Sequence, residues 1–64
     1  MTNFKERLQV ELEELTTKHD ALKGFIKINP VFPTLELRDR VLLKKQEIIM
    51  SLYIKTLTER VSRL

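Results

Sequence analysis

The chain has 64 residues, a third of them charged, with no cysteine, a single glycine and a net charge of +3. That length admits one domain with a small core of its own, and the missing cysteines exclude disulfides and thiolate metal sites. With one histidine, His19, and no calcium-loop spacing, no metal or cofactor is expected. Association between copies is then the route by which so short a chain gains buried surface.

The opening residues Met1-Thr2-Asn3-Phe4-Lys5-Glu6-Arg7 have no apolar stretch behind them, which argues against a signal peptide. No run approaches the roughly 18 apolar residues of a membrane span. A first helix is predicted from about Asn3 to Ile28, with Asn3 as N-cap and Glu6 completing a capping-box-like pair. Leu8, Leu12, Leu15, His19, Leu22 and Ile26 follow one another at alternating spacings of four and three, the pattern of a heptad seam. Gly24 is the weak point of this helix, loosening its last turn or admitting another backbone.

Asn29-Pro30-Val31-Phe32-Pro33 breaks the pattern, because Pro30 holds Asn29 extended and removes a backbone donor. So short a turn, over residues 29–33, makes the helices antiparallel neighbours. Val31 and Phe32 are expected to plug that end of the bundle. Thr34 is the predicted N-cap of a second helix running from about residue 34 to 63.

The second helix is apolar on more than one side. One seam reads Leu43, Gln46, Met50, Tyr53, Leu57, Val61 and Leu64; a second stripe holds Val41, Leu42, Ile48, Ile49, Leu52 and Ile54. Nine of the fourteen residues 41–54 are apolar, more than one neighbouring helix can cover. The excess predicts a subunit interface through the second stripe. The fold class is therefore all-α: an antiparallel two-helix hairpin forming one domain over residues 1–64 and assembling as a homo-oligomeric bundle. Counting back from the turn places His19 near Leu43 and Gln46, and Tyr53 near Leu8 and Leu12.

Few side chains carry chemistry. His19 on the seam reads as a buried histidine hydrogen-bonded to Gln46 or to its copy in another subunit, setting register. Tyr53 reads as a packing residue with one hydroxyl partner, or as a platform for a ring. Residues 25–64 carry eight basic and four acidic side chains. Arg38, Arg40, Lys44 and Lys45, with Lys27 across the turn, form the densest basic cluster. Four such residues in eight can hold phosphate. Interleaved Glu36, Asp39 and Glu47 also allow a salt-bridged, solvated face. No nucleophile, base and orienting group can be assembled, so no enzyme is expected.

The pattern ERLQVELEELTTKHDALKGFI, a short turn with Phe32, then LLKKQEIIMSLYIKTLTERV resembles a family of short phage-encoded helical-hairpin proteins first noticed in crAss-like phages. Arg7, Leu8, Glu11, Phe25, Ile26, Gln46, Tyr53 and Arg60 are among the residues that carry the resemblance, and Pro30 and Pro33 are a local departure from it. The resemblance implies an accessory protein acting in the host cytoplasm, in the manner of helical oligomers that trap nucleotide immune signals. Three functions follow from residues and resemblance together. One is sequestration of a cyclic or linear nucleotide in pockets between subunits. The second is inhibition of a host protein docked on the 41–54 face. The third is nucleic-acid binding through the basic second helix, disfavoured by the modest charge and the acids within the basic run.

Overall fold

A computed structural model describes residues 3–64; Met1 and Thr2, which the single-domain reading takes in, lie outside the described residues. Helix α1 spans Phe4–Ile28, a single 3-10 turn spans Phe32–Thr34, and helix α2 spans Leu37–Ser62. The helices pack against each other, antiparallel, along a rod of 44 × 18 × 16 Å.

Helix α1 starts where its cap dictates. The side chain of Asn3 accepts the Glu6 backbone N–H at 2.8 Å, satisfying one of the donors a helix N-terminus leaves open. It runs through Gly24 without interruption to Asn29, which is extended at φ −77°, ψ 127°, as a residue before proline prefers.

The connection is longer than residues 29–33. Asn29 Oδ1 accepts the Val31 N–H at 2.8 Å, and Phe32 N–H donates to the Asn29 carbonyl at 3.2 Å. Thr34 is not the N-cap of α2. Its N–H and its hydroxyl both donate back to the Val31 carbonyl, at 2.9 and 2.6 Å, so the hydroxyl is committed to the turn. Leu35 is extended, and Glu36 becomes the N-cap without a side-chain bond. The extra 3-10 turn displaces the register by about half to one helical turn from the sequence-based count.

Four described residues are buried: Leu8, His19, Phe32 and Leu57. Phe32 closes the turn end, edge-on to Phe25 with ring centroids 6.1 Å apart. Lys44 Nζ lies 5.9 Å from its centroid. Val31 does not share this plug; it is exposed. Leu8 and Leu57 are buried toward the opposite, open end, with Leu57 wholly enclosed. On α1 the inward residues are those of the heptad seam, with Leu12, Leu15, Leu22 and Ile26 half-buried. On α2 the inward stripe is Leu43, Glu47, Met50, Ile54, Leu57 and Val61. Leu43, Met50, Leu57 and Val61 of the expected seam thus face inward, but Gln46 and Tyr53 are exposed and Glu47 and Ile54 take their places, so that Ile54 leaves the outer stripe.

Candidate functional site

The inward rotation of Glu47 decides the partner of His19. His19 is 8% exposed, and its Nε2 lies 3.3 Å from Glu47 Oε2. Gln46 makes no such bond; it sits one residue, and hence 100° of helix, off the seam. Within one chain the pair is complete, and no buried side-chain polar atom among the described residues lacks a partner.

Five of the six expected interface residues lie on the outer side of α2. Val41, Leu42, Ile48, Ile49 and Leu52 are each 45–59% exposed. Tyr53 borders them. Together they leave α2 apolar on the side opposite its partner helix.

The members of the basic cluster make different contacts. Arg40 is half-buried and its Nε donates to the Leu35 carbonyl at 3.1 Å, tying the start of α2 to the turn. Lys44 covers the Phe32 ring. Arg38 and Lys45 lie seven residues apart, two turns, on the same side as Val41 and Leu52. Lys27 is exposed in the last turn of α1. Tyr53 is distant from all of these along α2, and its hydroxyl donates to Glu11 Oε2 across the hairpin. That bond raises the phenol above its ordinary value, helped by desolvation and the Glu11 charge and opposed by Arg60.

A second feature was not singled out from the sequence. At the open end, Phe4, Arg7, Leu8, Glu11 and Arg60 line a cleft of about 220 Å³. The signal for it lay in the antiparallel register: Arg7 and Glu11, one turn apart on α1, meet Tyr53 and Arg60, two turns apart on α2. The larger hollow, about 380 Å³ along Glu13, Glu14, Thr17 and Lys18, is shallow and mainly acidic.

The family model of the Sequestins matches residues 2–63, nearly the whole chain. The chain belongs to the Sequestin family. The family's name is consistent with a sequestering role, and both helices and the turn fall within the match. No curated protein and no solved structure matches this Sequestin. Among its described residues no helix is long and apolar enough to cross a membrane.

Proposed function

We propose that this Sequestin is a phage counter-defence protein of the host cytoplasm, which traps a small nucleotide immune signal between the subunits of a homo-oligomer. It acts by binding, without turnover. The observation that carries the reading is the family match over residues 2–63. The architecture supports it. A two-helix rod encloses no ligand-sized cavity, so a ligand held firmly needs walls from more than one copy. The outer face of α2, with Ile48, Ile49 and Leu52 exposed, is where copies meet. Arg38 and Lys45 beside it supply positive charge at that seam. The same face favours a second reading, in which α2 docks on a host protein as helix-in-groove.

Light scattering of the parent protein, with mass spectrometry of small molecules released on denaturation, tests the first reading. It expects an oligomer that releases a nucleotide after exposure to a nucleotide extract. Ile49→Glu should leave helicity intact, because Ile49 is exposed within the single chain, while converting the oligomer to monomer by burying an unpaired charge. A parent that is monomeric at every concentration, or an oligomer that retains no nucleotide, refutes it. A monomer that captures one host protein through Ile49 would establish the second reading.

A further inference from the structure

The cleft at the open end of the hairpin brings together two arginines from different helices. Arg7 stands in the first turn of α1 and Arg60 in the last turns of α2, and both line the same hollow. Among the described residues neither guanidinium has a carboxylate within salt-bridge distance. The nearest candidate is Glu11, which lines the cleft with them. Its Oε2 is already taken by the Tyr53 hydroxyl. Two unpaired guanidiniums facing one hollow repel each other, and an anion between them removes that cost. The positive end of the α1 dipole lies beside them.

The remaining walls describe the rest of the ligand. Phe4 is 54% exposed and, with Leu8, makes one side of the cleft apolar. Glu11 keeps lone pairs beyond the bond from Tyr53 and can accept from hydroxyl groups. At about 220 Å³ the cleft is smaller than the roughly 300–1,000 Å³ that encloses a whole drug-sized ligand. It suits one end of a nucleotide. Donors for a phosphate, an acceptor for vicinal hydroxyls and an apolar wall together match a phosphorylated ribose.

We infer that the open-end cleft holds the ribose-phosphate end of the sequestered nucleotide. The phosphate sits between Arg7 and Arg60, the ribose hydroxyls donate to Glu11, and the sugar's apolar edge lies against Phe4. This rests on the sequestration reading and moves the anion site away from the Arg38–Lys45 series.

Calorimetry separates the two ideas. The probes are linear and cyclic mono- and dinucleotides, ribose 5-phosphate, inorganic phosphate and adenosine, titrated into the assembled full chain. At least one nucleotide should bind, ribose 5-phosphate more weakly, and adenosine least. Arg7→Ala and Arg60→Ala should each weaken binding about tenfold or more. Arg38→Ala combined with Lys45→Ala should weaken it less than either cleft variant alone. Glu11→Gln should weaken ribose 5-phosphate while sparing or tightening inorganic phosphate, since removing a carboxylate from beside an anion favours the anion. Both arginines are exposed, so circular dichroism of their variants should match the parent. Nucleotide binding that survives loss of both arginines overturns the cleft and leaves sequestration standing. Tighter ribose 5-phosphate binding by Glu11→Gln overturns the hydroxyl assignment. An assembled parent that binds nothing in the series overturns the sequestration reading itself, and the cleft assignment with it.

Discussion

Among the described residues two polar pairs cross the hairpin, His19–Glu47 and Tyr53–Glu11. The neutral phenol of Tyr53 donates to Glu11, and that bond, first among the causes, holds its pKa above the ordinary 10.0. A phenol raised on folding lends stability that is fully present below its unfolded value and fades as pH rises through the folded one. Thermal midpoints of the parent should therefore fall more steeply above pH 10 than those of Tyr53→Phe. The two should run in parallel at neutral pH. The His19–Glu47 pair is the other crossing, and it is sheltered. Removing one member should cost about 1–2 kcal/mol, because the other keeps its desolvation without its partner. Replacing both by leucine should recover that loss or exceed it, as apolar substitutes for buried polar pairs often do. A double-mutant cycle by urea unfolding reads the coupling directly.

At the level of the helices, Gly24 is the cheapest improvement available. A Cβ built there meets nothing within 4 Å, so no other backbone approaches it within the chain. Gly24→Ala should raise unfolding stability by about 0.5–1 kcal/mol. If assembly instead falls, scored by light scattering, a neighbouring copy packs against that bare backbone. The helices also show which parts of the fold were legible beforehand. Helix α1 was readable because charged residues such as Glu11, Glu13 and Lys18 separate its apolar positions, which leaves one phase for the seam. Helix α2 has apolar residues on both sides. Tyr53 and Ile54 are adjacent, either can continue a heptad from Met50, and periodicity alone gave no reason to choose Ile54. Its phase depended on where the helix began, and that depended on Thr34. A threonine after a proline is a plausible cap until its hydroxyl is seen bonded back to Val31. The basic cluster was legible as composition, but the contacts of its members were not. Arg40 and Lys44 are drawn into the turn by Leu35 and Phe32, contacts that exist only after the chain has folded back. The cleft was invisible for the same reason: Arg7 and Arg60 lie at opposite ends of the sequence.

Taken whole, the molecule distributes its burial unevenly along the rod. Phe32 is enclosed at the turn, His19 midway, and Leu8 with Leu57 toward the open end. That sequence of contacts has a kinetic counterpart. Phe25 and Phe32 meet across a very short loop, whereas Leu8 and Leu57 close nearly the whole chain, so the entropy spent on loop closure is least at the turn. Folding should begin there and zip toward the open end, passing the polar pair on the way. Phe32→Leu should then mainly slow folding, with a φ-value toward one. Leu57→Ala should cost about 3 kcal/mol and mainly speed unfolding, with a φ-value near zero. Stopped-flow or temperature-jump chevrons give both values; the reverse order would place the nucleus at the open end. A hairpin that closes last at its open end also opens first there. Amide exchange of α1 residues beside Leu8 should outpace that of residues beside Phe25.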